Sequence, residues 1–217
     1  MTPTDIPLLA ASDLTFSYVA GQPVISQLDA RFYRGTVTAL TGVSGRGKST
    51  LLYVLGLILH ADEGHVLFNG SPANTMSDSA RARLRARNFG FVFQDAALDP
   101  TRSVLDNVVE TALYRGQPRR VAIARAHDLL EQFGVQLRAT HKPGQISGGQ
   151  AQRIALCRAL LADPAVVLAD EPTGNLDPVT TELVIDALKH HAANGSCVII
   201  ATHDPVIAAN CDQHIVL

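Results

Sequence analysis

Apolar and polar positions along the chain fall into short runs of two kinds that alternate. Residues 14–18 and 31–33 read as strands, with a turn at Gly21-Gln22-Pro23 between them. Residues 36–40 form a β-branched run that ends at a glycine-rich loop, and residues 48–59, apolar along most of their length, predict a helix. A short strand at 65–68 closes at Asn69-Gly70. An arginine-rich helix is expected at 77–87 and a buried strand at 90–93. From about residue 95 to 144 strand signals become few, and the chain reads as helical, punctuated by Asp99-Pro100, Gln117-Pro118 and Pro143-Gly144. Alternation then returns: a helix after Ser147, a strand at 166–168, a helix at 180–191, and strands at Cys197–Ala201 and 214–217. The pattern predicts an α/β protein with a helical insert. It shows no internal repeat and no low-complexity tract.

Composition narrows the picture. The 217 residues fit one large domain, or one domain with a small insert, and 47% hydrophobic content supports a sizeable core. A net charge of -2 and a pI near 6.4 leave no global basic surface, so no nucleic acid is expected as a partner. The cations are 15 Arg and 3 Lys. Cys157, Cys197 and Cys211 are odd in number and lack CxxC spacing, which predicts reduced, buried thiols in a cytosolic chain. The longest uncharged apolar runs, 51–59, 165–169 and 197–201, fall far short of the roughly 20 residues a spanning helix needs. The opening MTPTDIPLLAASD has no basic segment and no long apolar stretch, so no export signal is expected. A membrane role is expected to come through a partner.

Two segments carry candidate chemistry. Gly42-Val-Ser-Gly-Arg-Gly47-Lys48-Ser49 fits GxxxxGK[ST], a phosphate-binding loop, between a strand and a helix. Gly42, Ser44, Gly45, Arg46 and Gly47 supply inward-turned backbone N–H groups, and the following helix N-terminus adds partial positive charge. The Arg46 side chain adds no specific chemistry. Lys48 places a point charge on the β- and γ-phosphates, Ser49 offers a hydroxyl to Mg²⁺, and Thr50 adds a phosphate contact. The second segment, Val166-Val-Leu-Ala-Asp170-Glu171, is an apolar strand ending in two carboxylates, where α/β sheets build their sites. Asp170 is placed to hold Mg²⁺, directly or through water. Adjacent strand side chains point to opposite faces, which leaves Glu171 free to polarise a water against the γ-phosphorus.

A phosphate loop alone fits kinases, GTPases, helicases and transporters. Ile146-Ser147-Gly148-Gly149-Gln150 separates them. Ser147 and Gln150 fit a capping box, and two glycines, poor helix formers, suit a helix start where backbone closely approaches an anion. The segment resembles the LSGGQ signature of ATP-binding cassette (ABC) ATPases. The other motifs of that family follow in order: Gln94 as the Q-loop, Asn175-Leu-Asp177 as the D-loop and His203 as the H-loop, with Tyr18 upstream where an aromatic lies under adenine.

The resemblance covers essentially the whole chain. It implies one domain over 1–217, a P-loop NTPase with a RecA-like core, an antiparallel β subdomain, and a helical subdomain at about 95–160 between the two parts of the core. It further implies ATP and Mg²⁺ as cofactors, Lys48, Gln94, Glu171 and His203 as catalytic residues, and Ser49, Gln94 and Asp170 as metal contacts. His203 would contact the γ-phosphate and orient the attacking water. Ser147, Gly148, Gly149 and Gln150 would grip the γ-phosphate on an opposite copy, giving a head-to-tail homodimer with two shared sites. Asp177 would position that opposite site or cap the helix after Pro178, and Tyr18 would either stack on adenine or pack in the core. Arg81–Arg87 would be a solvated helix face or a contact with lipid headgroups or the membrane subunit, and His190-His191 a surface pair.

The motif at 169–177 is similar to the branch holding macrolide exporters, lipoprotein-release, cell-division and haem-efflux ATPases. Residues 95–115 are not a close match to the lipoprotein-release pattern, and the sequence stops at Leu217, where such relatives usually continue; the C-terminal stop puts tail-mediated regulation in doubt but touches no catalytic motif. The expected function is ATP hydrolysis that drives a separate integral membrane permease, in efflux or mechanotransmission, at the cytoplasmic face of the membrane. The helical insert would dock the permease. A soluble ABC ATPase of repair or translation, or a low-turnover ATP-binding module, are the alternatives.

Overall fold

The computed structural model describes residues 6–43, 45–174 and 176–217. Two sheets organise it. Strands β1 (Leu9–Val19), β2 (Gln22–Phe32), β4 (Glu63–Phe68) and β5 (Ser71–Pro72) form an antiparallel sheet in the order β2-β1-β4-β5. Strands β3 (Thr36–Thr41), β6 (Phe89–Val92), β7 (Val166–Asp170), β8 (Cys197–Ala201) and β9 (Gln213–Val216) form a parallel sheet in the order β6-β7-β8-β3-β9. Every residue of β7 and β8 is buried. That is why residues 166–169 and 197–201 read as continuous apolar runs: both faces of a parallel sheet are covered. Along β8 the side chains divide with period two. Val198 and Ile200 enter one core, while Cys197, Ile199 and Ala201 enter the other.

The second of these cores lies beneath the antiparallel sheet and helix α1 (Lys48–Leu55). The first extends into a helical layer built from α3 (Val104–Tyr114), α4 (Arg119–Gln132) and α5 (Gly148–Leu160), where Val108, Ala126, Leu130, Phe133 and Ile154 are fully buried. Helix α2 (Asp78–Asn88) precedes β6, α6 (Pro178–Ala193) joins β7 to β8, and the short α7 (Pro205–Ala209) follows β8.

Several local expectations are corrected. The first two strands are much longer than their clearest alternation. Asp13 sits at φ 48° and register shifts interrupt the β1–β2 pairing, so only part of the hairpin keeps a clean period. Gln22 and Pro23 belong to β2 and not to the turn; β2 is an edge strand, where a missing N–H is tolerated. Helix α1 stops at Leu55, because Gly56 brings the chain against the Phe91 ring and Leu57 turns to φ 60°. The arginine run on α2 is not one solvated face. Arg81 is buried beside Asp78, and Arg85 donates to the Leu57 carbonyl at 2.7 Å. His191 is largely buried and pairs through Nε2 with the Pro164 carbonyl at 2.9 Å, whereas His190 is exposed. Strand β5 and helix α7 were not anticipated, although Asp204-Pro205 is a readable helix start: the Asp204 carboxylate accepts from the Val206 N–H at 2.7 Å. Cys157 and Cys197 are buried free thiols and Cys211 is partly buried; burial pushes the Cys197 thiol up to about 12.

A Cβ at Gly56 would lie 2.4 Å from the Phe91 ring and 2.9 Å from Leu168. Gly56→Ala is expected to destabilise the fold by about 1–3 kcal/mol, as overpacking does. Calorimetry would then show a melting point lower by several degrees, at roughly 2–4 °C per kcal/mol for a chain of this size; an unchanged or higher value would contradict the packing argument.

Candidate active site

Three strand ends meet at the carboxyl edge of the parallel sheet. In register, Leu40 of β3 faces Ala201 of β8, and Ala201 faces Asp170 of β7. The residues that follow therefore lie side by side: the glycine loop after Thr41, Glu171 after Asp170, and Thr202-His203 after Ala201. β6 pairs with β7 through Val92 and Ala169, which brings the exposed Gln94 to the same edge. This is where open α/β sheets bind ligands.

The loop delivers its groups as the motif requires. Gly42, Gly45 and Gly47 have φ of 137°, 82° and 90°. Gly47 also packs so closely that a Cβ would meet Val24 Cγ1 at 2.8 Å. Arg46 is exposed and contributes its backbone N–H to a turn on the Val43 carbonyl. Ser44 and Asn175 lie outside the described residues. The Lys48 ammonium donates to the carbonyls of Gly42 at 2.9 Å and Val43 at 3.3 Å, which holds it over the loop. Tyr18 is 62% exposed, so it is not a core tyrosine; its hydroxyl pairs with Thr50 Oγ1 at 3.2 Å and its ring stands edge-on to Phe16.

Asp170 is only 3% exposed, and its two oxygens meet hydroxyls. Ser49 Oγ donates to Oδ1 at 3.0 Å and Tyr53 Oη to Oδ2 at 3.3 Å. Burial raises its pKa, the two hydrogen bonds oppose that, Glu171 raises it and Lys48 lowers it. A nearly buried carboxylate that has no hydrogen-bonded cation among the described residues suits an added positive charge. The oxygen donors Ser49 and Asp170, with the Gln94 amide at the same edge, match the hard-ligand preference of Mg²⁺. Tyr53 escaped the sequence reading. The available signal was its position one helical turn after Ser49, on the same face. Burial, then the charge and hydrogen bond of Asp170, push its phenol up to about 12, so it remains a donor.

Glu171 faces away from Asp170, but strand alternation is not the cause. It lies one residue past β7 at φ 45°, in the left-handed region. Its carboxylate accepts from the His203 backbone N–H at 3.1 Å, from His203 Nδ1 at 2.7 Å, and from Thr202 Oγ1 at 3.3 Å. Thr202 was likewise not anticipated. With Nδ1–H committed to Glu171, the other nitrogen, Nε2, is left to face outward on a side chain 74% exposed.

The remaining candidates lie apart. Ser147 Oγ accepts from the Gln150 N–H at 3.2 Å, and Gln150 Oε1 accepts from the Ser147 N–H at 3.0 Å, a complete capping box at the start of α5. The Ser147 oxygen is thus already an acceptor, and what it retains is its own O–H donor. Ser147 and Gly148 are exposed and Gly149 partly so. α5 is instead tied to the segment on both sides of Gln94. Gln152 donates to the Phe93 carbonyl, and Arg158 donates to Ala97 at 2.6 Å and Ala96 at 2.8 Å, two alanines at φ 45° and 62°. Asp177 caps α6, accepting from the Thr180 N–H at 3.0 Å and hydroxyl at 2.6 Å, which hold its pKa below the usual carboxylate range.

Known proteins share this arrangement. The family described as ABC transporter matches residues 25–174. The chain is 42% identical over 214 residues to the lipoprotein-releasing system ATP-binding protein LolD of Roseobacter denitrificans, an alignment covering 96% of this chain and 94% of that one. The dimeric structure of MJ0796, a bacterial ABC transporter cassette, superposes with a TM-score of 0.90 at 30% identity, over 96% of this chain and 94% of that one. A dimeric post-hydrolysis state of the MJ0796 cassette bound to ADP and Pi superposes at 0.88, with the same identity and coverage. The chain belongs to the ABC transporter family, as an ATP-binding subunit with that family's ATPase fold.

The Glu171 hydrogen bond and charge raise the His203 pKa above its ordinary value. Because the folded value is the higher one, the pairing adds stability below the unfolded pKa, and the contribution is lost as pH rises through the folded value. An NMR titration should place the His203 imidazole above about 6.5 and bring it down in Glu171→Gln; an identical midpoint in both proteins would disprove the coupling.

Proposed function

We propose that two copies of this chain hydrolyse ATP as the nucleotide-binding subunits of a membrane transport or force-transmitting complex, each site shared between the copies. The chain is a single cassette, with residues about 95–160 as a helical subdomain. The observation that carries the reading is the division of donors. The phosphate loop, Asp170, Glu171 and His203 gather at one sheet edge, while Ser147 and Gln150 bond to each other at the start of α5, with Gly148 exposed and Gly149 partly so, and make no hydrogen bond to that edge among the described residues.

In this reading the loop amides and Lys48 bind the triphosphate, and Tyr18 stacks on adenine. The Ser147 hydroxyl and the amides of Gly148, Gly149 and Gln150 reach the γ-phosphate held by the other copy. Ser49, Asp170 and Gln94 would hold Mg²⁺, which would supply positive charge against the phosphate oxygens. Glu171 takes a proton from the attacking water. His203 keeps the Glu171 carboxylate oriented through Nδ1–H and turns Nε2 toward the γ-phosphate. Cleavage to ADP and phosphate removes the group that bridges the two copies, so the closed dimer loses its glue. Asp177 stiffens the segment that crosses to the second site.

No described helix is long and apolar enough to cross a membrane. In this reading the complex sits at the cytoplasmic face, held there by an integral permease. A groove of about 170 Å³, floored by Phe89 and Phe91 and rimmed by Tyr114 and Arg115, supports docking of that partner on the helical side. The resemblance to lipoprotein-releasing ATPases supports efflux or mechanotransmission as the work done.

Glu171→Gln is expected to keep ATP affinity, lose about 10²–10⁴-fold in turnover and accumulate a nucleotide-bound dimer on size exclusion. Turnover at the wild-type rate would refute Glu171 as the base. In mixed dimers of wild type with Ser147→Arg, one of the two sites should fall silent; two fully active sites would rule out sharing between copies.

A further inference from the structure

We infer that Tyr53 is a positioning residue for the metal centre, holding the Asp170 carboxylate in place through the oxygen that Ser49 does not take. The inference rests on the reading of Asp170 as the carboxylate that holds Mg²⁺.

Ser49 and Tyr53 are one turn apart on α1 and share a face. They divide the carboxylate between them, Ser49 on Oδ1 and Tyr53 on Oδ2. The final torsion of an aspartate is broad and intrinsically unfixed, so a carboxylate with one anchor can still rotate. Two donors on opposite oxygens fix its plane. Ser49 is itself a candidate metal ligand, so among the described residues the Tyr53 hydroxyl is the donor left to anchor the carboxylate while the metal is bound.

The phenol is well placed for this. Its ring packs on Phe93, with centroids 5.9 Å apart and planes at 52°, and Phe93 in turn stacks on Phe91 at 5.7 Å. Three aromatic rings therefore fix the donor's position before any ligand arrives, and a fixed donor orients its acceptor at little entropic cost. Phe93 immediately precedes Gln94, the other candidate metal contact. Partners of this kind, one bond removed from the metal, set its affinity more than its identity.

The test compares binding of the non-hydrolysable analogue adenylyl imidodiphosphate by calorimetry, with Mn²⁺ and with EDTA, in wild type, Tyr53→Phe, Asp170→Asn and the double variant. The ratio of the two affinities measures what the metal adds. Tyr53→Phe keeps the ring and its packing, so affinity in EDTA should match wild type while the metal-dependent gain shrinks about tenfold. In the Asp170→Asn background, Tyr53→Phe should change nothing further. An unchanged gain in Tyr53→Phe, with the gain lost in Asp170→Asn, would overturn the role of Tyr53 and leave the metal assignment standing. So would an equal loss in EDTA and in Mn²⁺, the mark of a merely structural residue. An unchanged gain in Asp170→Asn would remove the metal assignment itself, and the inference with it.

Discussion

The register of β3, β8 and β7 is the constraint on which the site depends. Parallel pairing sets Leu40 beside Ala201 and Ala201 beside Asp170, so three loops leave the sheet at one level. The phosphate loop, the acidic pair and the histidine lie far apart in sequence. They meet because backbone hydrogen bonds in a buried sheet are obligatory and leave no freedom to slip. The buried β7 and β8, apolar but for the terminal Asp170, are what bury those bonds, so the core that stabilises the protein also aligns its chemistry.

Within that frame, charge is handled by separation. Asp170 and Glu171 are neighbours in sequence, yet the left-handed turn at Glu171 sends their carboxylates to different partners: hydroxyls for one, a histidine and a threonine for the other. A non-glycine residue in that region costs of order 1 kcal/mol. Here the Glu171 N–H, bonded to the Ala201 carbonyl, and the three donors on its carboxylate hold the conformation. The result is two acids one residue apart in different environments, suited to different tasks.

Much of this was legible in the residues. The glycine loop, the strand ending in Asp170-Glu171, the capping box at Ser147 and the α/β alternation each follow from a local rule. Each appears where its rule places it. What escaped depended on long-range geometry. The β1–β2 hairpin was underestimated because bulges break its alternation. Arg81 and His191 carry side chains that composition assigns to the surface, but Asp78 one turn away and the distant Pro164 carbonyl take them inside. Tyr53 drew no reading of its own, since nothing in α1 reveals that its hydroxyl reaches a strand more than a hundred residues away. The direction of Glu171 was inferred correctly for the wrong reason, because a single backbone dihedral is not written in the pattern of polar and apolar positions.

The opposite, amino edge of the parallel sheet has a different character. There the chain turns at Gly35, which bonds the Ser196 carbonyl, and at Asn194-Gly195 after α6, where a Cβ at Gly35 or Gly195 would meet open space. One edge of the sheet is thus committed to chemistry and the other to connection only. An engineer who needed to graft a reporter or a purification handle into this chain would cut at Asn194-Gly195. The strands transmit register from that end but carry no reacting group there.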